Sequence, residues 1–406
     1  MIRARPRAAA LPFAAALAMA AGVLAGCDSP VPFHRPGERS PDDPVVGLGG
    51  PAPYLSVRPD AKRGTAANDP AVPDGGVPVA PAGGRVYAAT GPGMIAPNAR
   101  GLPPRIYVAN GRAIDVIDPA TARIAGRLRP GAAASRVVPS WDLRRLWATD
   151  RAHDLLVPVG PRSGRRGRPV KVAGAAGLYF TPDGRDALVP ARRPRRIDVR
   201  DPRTMALRAT VPMPCSAGHA GFSIGGASLV TTCTAAGALA RVDLTARRVA
   251  GTLRLPDGAR PGDLRLSPDG TVFYVADAAK GGVWLIDARR FALLGFVPTA
   301  PGARGLAISR DARRLFVVGG GRLTAVDFRT RRVVSDWPLP AGNSVPGGVS
   351  SDGTALWLAD RAGLVYAVST RTGRVVRKIR VGGHPTGLCV HPQPGRYSLG
   401  GTGLYR

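Results

Sequence analysis

Glutamate and lysine are nearly absent from this sequence. Glu38 is the only glutamate, and only four of the 57 basic residues are lysines. Together with 53 glycines and 41 prolines, this bias is typical of a genome rich in G and C. The formal net charge of +30 therefore does not by itself indicate a nucleic-acid-binding protein. Arginine clusters still attract phosphates and carboxylates, whatever their origin.

The sequence also lacks the short motifs of several enzyme classes. It has no H-E-x-x-H zinc motif, no P-loop and no C-x-x-C. Residues 221–225 match the G-x-S-x-G pattern, but another strand follows within a few residues, which excludes the strand-to-helix turn that exposes such a serine. Windows with helical periodicity are few as well, and this favours an all-β fold.

The N-terminus has a basic segment with Arg3, Arg5 and Arg7, followed by an apolar run over residues 8–23 that is too short for a comfortable membrane span. The Leu-Ala-Gly-Cys sequence at 24–27 then resembles a bacterial lipobox. The resemblance implies a lipoprotein signal peptide over residues 1–26, cleavage before Cys27 and lipidation of its thiol. An ordinary secretory signal is the alternative. We expect an extracytoplasmic protein, lipid-anchored to the outer face of the cell membrane.

Residues 27–84 are crowded with Pro, Gly, Asp and Ala and have no sustained apolar pattern. Such a segment cannot bury enough surface to offset its ordering entropy, so we predict a disordered tether. A flexible coil of this length reaches about 40 Å. The tether would hold the folded part, residues 85–406, off the membrane.

Short strand patterns recur through residues 85–406. The clearest unit is GDLRLSPDGTVFYVADAAKGGVWLID at 262–287, in which Pro-Asp-Gly at 268–270 predicts a tight turn. Its FYVAD strand has seven copies, spaced 40 to 44 residues apart. Four antiparallel strands in this length make one propeller blade, so we predict an all-β fold with a seven-bladed β-propeller. One strand falls at residues 387–391 and three strands fall within residues 105–128, so we expect the two ends of the propeller to share a blade. We assign no position in the ring to residues 396–406.

The repeat has three elements in a constant order: the strand copies, the Val-Ile-Asp segments that predict Asx-type turns, and the Ser-Pro-Asp-Gly turn. This order resembles the YVTN family of β-propeller repeats. The resemblance covers about residues 104–406. The whole chain is similar to secreted actinobacterial proteins of this family that end in a segment like 391–400. The resemblance implies a fold and a location rather than an activity.

In such a ring, the loops before the first and after the second strand of each blade share one mouth of the central channel. His219, Asp263, Arg304 and His384 fall there and are the candidate ligand-binding residues. Alternatively, Asp263 and Arg304 pair with each other or face water. We assign no catalytic residue and no cofactor. A metal site at the mouth is an alternative, although His219 and Asp263 have no obvious third ligand beside them.

Cysteine usage is typical of an exported protein. With Cys27 lipidated, three cysteines remain. Cys215 and Cys233 fall on the mouth side of one blade, and we predict a disulfide between them. Cys389 alternates into the interior of its strand, as a small buried hydrophobic residue does.

Three function classes are compatible with these features. The first is a monomeric, non-catalytic binding or scaffold module at the cell envelope, with a protein or envelope polymer as partner. The second is an enzyme similar to lactonases or quinoproteins, with a metal or cofactor at the channel mouth. The third is a binder of nucleic acid or anionic wall polymer through the Arg-rich segments 162–168 and 192–196, although the aromatic residues that stack bases are missing.

Overall fold

The computed structural model describes residues 86–395. This part of the chain contains 28 β-strands and two short 3₁₀ helices, Pro97–Ala99 and Thr234–Ala236. The strands form seven four-stranded antiparallel sheets. The predicted all-β, seven-bladed β-propeller is therefore confirmed. The predicted signal peptide, Cys27, the tether and residues 396–406 lie outside the described residues.

The blades follow one another along the chain. Blade 1 contains β1 (Arg105–Asn110), β2 (Ala113–Asp118) and β3 (Arg123–Leu128), and blade 2 contains β4 (Arg136–Pro139), β5 (Leu146–Asp150), β6 (Leu155–Val159) and β7 (Val170–Lys171). Blade 3 contains β8 (Tyr179–Phe180), β9 (Ala187–Ala191), β10 (Arg196–Arg200) and β11 (Leu207–Pro212). Blade 4 contains β12 (Ala220–Phe222), β13 (Ser228–Cys233), β14 (Ala238–Asp243) and β15 (Arg248–Arg254).

The second half of the ring repeats the same order. Blade 5 contains β16 (Pro261–Leu266), β17 (Val272–Asp277), β18 (Gly282–Asp287) and β19 (Ala292–Pro298). Blade 6 contains β20 (Gly305–Ile308), β21 (Arg314–Gly319), β22 (Arg322–Asp327) and β23 (Val333–Pro338). Blade 7 contains β24 (Ser344–Val349), β25 (Ala355–Asp360), β26 (Leu364–Ser369) and β27 (Val375–Arg380), and β28 (Pro385–His391) belongs to blade 1.

Burial explains the composition of the strands. Every residue of β17 is buried, because both faces of a middle strand pack against neighbouring blades. The outermost strand β23 instead alternates between exposed and half-buried residues. The core therefore runs around the ring between the blades.

Blade 1 joins the two ends of the described chain. Its innermost strand is β28, which pairs with β1 in an antiparallel register that places Val390 opposite Ile106 and Leu388 opposite Val108. The innermost position is thereby filled in every blade, and each of the seven sheets of residues 86–395 has its full four strands.

The two ends of the channel differ. We call the end where the innermost strands begin the mouth, and the opposite end the base. Residues 86–102 lie at the base: the N–H of Val86 donates to the carbonyl of Pro268 at 3.2 Å, and the Tyr87 hydroxyl donates to the carbonyl of Leu266 at 2.8 Å. Both side chains are buried. This segment therefore packs on the inner base-side turn of blade 5 and does not cover the mouth of the channel.

A repeated aspartate fixes the loops around the mouth. Asp150 ends the second strand of blade 2 and accepts hydrogen bonds from the N–H groups of Ala133 and Ala152, one on each neighbouring loop. Asp277 and Asp360 make the same bridge in blades 5 and 7. Blade 4 has Cys233 at this position. The two oxygens of a carboxylate can accept hydrogen bonds from two loops at once, so one aspartate fixes both loops.

Candidate functional site

A cavity of about 300 Å³ lies at the mouth. Its walls come from the starts of the innermost strands and from the loops that follow the second strands. His219, Asp263 and Arg304 line this cavity. His384 is not among its lining residues; it is exposed, and its Nδ1 lies 3.1 Å from the carbonyl oxygen of Arg361.

Asp263 is the buried centre of the mouth, with 2% of its surface exposed. Its Oδ1 accepts a hydrogen bond from Arg265 Nη1 at 2.7 Å and lies 3.3 Å from His219 Nδ1. Its Oδ2 accepts a hydrogen bond from the Leu306 N–H at 3.1 Å. Asp263 therefore ties blade 5 to blade 6 and orients His219 at the same time.

These contacts settle the charges of the pair. Burial by itself raises the pKa of Asp263, but Arg265, His219 and the Leu306 N–H together hold that pKa below its ordinary value. Burial lowers the pKa of His219 and outweighs the opposite effect of Asp263. At neutral pH the carboxylate is therefore ionised, and the imidazole is neutral and donates from Nδ1.

The alternative in which Asp263 and Arg304 pair with each other is wrong. The Asp263 N–H donates to the Arg304 carbonyl at 3.2 Å, but the carboxylate is taken by Arg265 and His219. Arg265 lies two residues further along β16, and its Nη1 donates to the Asp263 Oδ1 at 2.7 Å. Arg304 itself is exposed, and its Nε donates to the Gly302 carbonyl at 3.4 Å. Its charge is thus free to face the cavity.

Four arginines converge on the cavity: Arg136, Arg151, Arg192 and Arg304. Arg136 begins β4, whereas Arg151 and Arg192 directly follow β5 and β9. Asp263 is the one carboxylate among the lining residues of the described chain, and it is already bonded to Arg265. The mouth is therefore strongly electropositive.

Arg151 shows the effect of this crowding. Its Nη2 donates to the Ala176 carbonyl at 2.7 Å, and although the residue as a whole is exposed, its guanidinium is partly shielded from water. Burial first, and then repulsion by Arg136 and Arg192, lower the pKa of Arg151 to about 10. A bound anion would relieve this repulsion.

The loop that carries His219 is held on both sides. The structure confirms the Cys215–Cys233 disulfide, with a Cα–Cα distance of 5.6 Å, at the position where blades 2, 5 and 7 use the repeated aspartate. The Thr231 hydroxyl donates to the His219 carbonyl at 2.9 Å. The covalent link replaces the carboxylate bridge in blade 4 and positions His219 against Asp263.

The predicted ligand-binding set omitted Arg136, Arg151 and Arg265, and it assigned Arg192 to an Arg-rich segment and not to the cavity. A signal for Arg136, Arg151 and Arg192 was present, because the first begins an innermost strand and the other two directly follow second strands, and both kinds of position share the mouth. For Arg265, the signal was its spacing of two from Asp263 on one strand.

The donor set does not fit a metal ion. No group of three or more His, Cys, Asp or Glu side chains comes together in the part of the chain that the structure describes. The two possible ligands, His219 and Asp263, are bonded to each other, and Asp263 also accepts from Arg265 and from backbone N–H groups. Four surrounding arginines would repel a cation.

The two Arg-rich segments do not form one surface. Residues 162–168 lie between β6 and β7, which places them at the base, whereas residues 192–196 lead from β9 into β10 at the mouth. Arg192 belongs to the mouth cavity. A polyanion contacting both segments at once would have to reach across opposite faces of the ring.

No family model matches the sequence, and no curated protein matches it. Among solved structures, the chain is 17% identical to a functionally unknown protein from Desulfotomaculum acetoxidans, with a TM-score of 0.59 over 70% of this chain and 98% of that one. It is 17% identical to hydrazine synthase from Kuenenia stuttgartiensis, with a TM-score of 0.52 over 66% of this chain and 89% of that one. It is 14% identical to the dihydro-heme d1 dehydrogenase NirN in complex with DHE, with a TM-score of 0.55 over 75% and 78%.

What these proteins share with the chain is the β-propeller fold. At such identities the likeness shows the fold alone, and the YVTN assignment stays a prediction. The disulfide indicates an oxidising, extracytoplasmic environment. Among the described residues, no helix has the length and apolar character needed to cross a membrane.

Proposed function

We propose that this protein is a lipid-anchored, non-catalytic binding module of the cell envelope whose channel mouth holds an anionic group, such as a phosphate or a carboxylate. The observation that carries the proposal is the convergence of Arg136, Arg151, Arg192 and Arg304 on one cavity. Guanidinium groups bind both kinds of anion through paired, charge-assisted hydrogen bonds.

The charge balance of the mouth supports this choice of ligand. Asp263 is neutralised by Arg265, and His219 is neutral at ordinary pH, so neither offsets the four arginines. The lowered pKa of Arg151 reflects the cost of holding these cations together in a partly shielded place. An anion at this point gains from every arginine at once, and the surrounding blades keep the geometry fixed.

Substitution of Arg151 tests the proposal. Isothermal titration with phosphate, sulfate and citrate should detect binding of at least one of these anions to the full chain. We expect Arg151→Gln to weaken that binding at least about ten-fold, because a charge-assisted hydrogen bond contributes about 1.5–3 kcal/mol.

Arg112→Gln is the matched control. Arg112 is exposed in the loop after β1, on the same face of the ring but outside the cavity wall. Its substitution should leave anion binding within about two-fold of the wild type. Equal losses in both variants would mean that only net charge matters, and the absence of binding to all three anions would refute the mouth site.

A second candidate function is acid–base catalysis on an anionic substrate. The observation that favours it is the His219–Asp263 pair, in which a buried carboxylate orients an imidazole that is neutral at ordinary pH. Hydrolysis of p-nitrophenyl phosphate would support this function if His219→Gln abolished turnover while anion binding persisted. Turnover that survives this substitution would exclude it.

A further inference from the structure

Every blade presents arginine at the base. In each blade, the turn from the third strand to the outermost strand lies at the base, because successive strands of a sheet run in opposite directions. These seven turns are residues 118–123, 160–169, 201–206, 243–248, 287–292, 327–332 and 369–374. They contain no lysine and no glutamate, but each contains at least one arginine: Arg123, Arg162, Arg165, Arg166, Arg168, Arg203, Arg247, Arg248, Arg289, Arg290, Arg329, Arg331, Arg332, Arg371 and Arg374.

These arginines form what we call the base ring, and all of them are exposed. None is in an ion pair with a carboxylate of residues 86–395. Arg166 lies against Gly131 and Arg162 donates to the Gly101 carbonyl at 3.2 Å, but every blade still has at least one other exposed arginine at the base.

The aspartates of the same turns have a structural role. Five of the seven turns begin with an aspartate that accepts a backbone N–H two or three residues later, so the predicted Asx-type turns are confirmed. These residues are Asp118, Asp201, Asp243, Asp287 and Asp327. Fifteen arginines against five aspartates leave the base ring with a large positive charge.

The chain enters the ring at the same face. The Val86 N–H donates to the carbonyl of Pro268, in the base-side turn between the first two strands of blade 5. Residues 1–85 therefore connect to the propeller at its base. Any anchor in that part of the chain is therefore connected to the propeller through the base.

We propose that the base ring docks on an anionic phospholipid surface, so that the mouth faces away from the membrane. Two independent observations point the same way: the face with an arginine in every blade is also the face at which the leading segment joins. Basic groups act on a charged membrane only within about 8–10 Å of it. Because the seven turns lie at the same end of the ring, arginines of several blades can come within that range of one surface, and lipid phosphates suit bidentate contact.

The docking concerns a different face from the proposed anion site and does not depend on it. It also does not require acylation of Cys27, since the attraction comes from the base ring itself. This separates the test of docking from any effect of a lipid anchor or of a ligand at the mouth.

Vesicle binding tests the proposal. The full chain carrying Cys27→Ser is sedimented with vesicles of phosphatidylcholine alone and of phosphatidylcholine mixed with phosphatidylglycerol, so that the difference between the two removes any contribution of the apolar segment 8–23. We expect binding to the mixed vesicles to exceed binding to the neutral ones and to fall steeply with added salt. Combined Arg290→Gln, Arg329→Gln and Arg371→Gln substitutions in the base ring should weaken it about 100-fold, at about five-fold per arginine.

The control removes the same charge from the other face. Arg112→Gln, Lys280→Gln and Arg361→Gln change three exposed residues in mouth-side loops of blades 1, 5 and 7. This variant should bind the mixed vesicles within about five-fold of the parent chain. Equal losses in the two triple variants, or equal binding to both kinds of vesicle, would overturn the proposal. Binding of the parent chain to soluble polyphosphate but not to mixed vesicles would identify an anionic polymer as the partner and would likewise overturn it.

Discussion

Replacing Asp263 with alanine is expected to destabilise the propeller by about 3–5 kcal/mol, because it breaks a buried ion pair while leaving the arginine inside. Arg265 is 8% exposed and donates to Asp263 at 2.7 Å. The same substitution removes the acceptor of the Leu264 and Leu306 N–H groups. The loss of the bond to Leu306 also removes a contact between blades 5 and 6 at the channel wall. Urea unfolding followed by tryptophan fluorescence measures the change in the free energy of unfolding.

Two further variants keep this prediction testable if the alanine variant fails to fold. The double variant Asp263→Ala/Arg265→Met removes both charges and should recover a large part of the loss, since replacing both partners with apolar groups is often neutral. Asp257→Ala removes an exposed carboxylate on the mouth side and should change stability by no more than about 0.5 kcal/mol. A loss below about 1 kcal/mol in Asp263→Ala would contradict a central role for the pair.

The architecture could be predicted from the sequence because every blade repeats the same pattern of strand and turn residues. A second strand such as FYVAD in β17 is apolar on both faces, since blades pack against both sides of it. Turn residues then separate the strands at fixed offsets. Repeating this unit every 40 to 44 residues leaves few alternatives to a ring of blades.

The mouth was accessible only in part. Topology places Asp263 and His219 at the channel, because both lie where an innermost strand begins. Arg265 and Arg304 both lie close to Asp263, and the spacing of two between Asp263 and Arg265 was the one sequence signal for the pair that forms. The disulfide could be predicted, but its equivalence to the aspartate bridges of other blades appears only when the loops are superimposed on one another in the ring.

His391 is the buried group whose titration should most affect stability. It ends β28, is 2% exposed, and neither ring nitrogen has a hydrogen-bond partner among the described residues. Burial lowers the pKa of His391 from 6.5 to about 4. Its neighbours on the same sheet face, Tyr107 and Cys389, do not titrate in this range, because burial raises the pKa of each to about 12.

Below about pH 6.5 the imidazole is protonated in the unfolded chain but stays neutral in the folded protein. The free energy of unfolding should therefore fall as the pH drops below about 6.5, and the loss should level off near pH 4 at about 3 kcal/mol. His219 has a lowered pKa as well and adds a loss of the same sign. Urea unfolding of His391→Leu and of the wild type between about pH 7.5 and pH 4.5 isolates the contribution of His391 to the pH dependence of stability. His384→Leu is the control, because His384 is exposed and its replacement removes a histidine without changing a buried group. His391→Leu should remove about 3 kcal/mol of the pH dependence, and an unchanged slope would mean that His391 finds a partner for its proton in the folded protein.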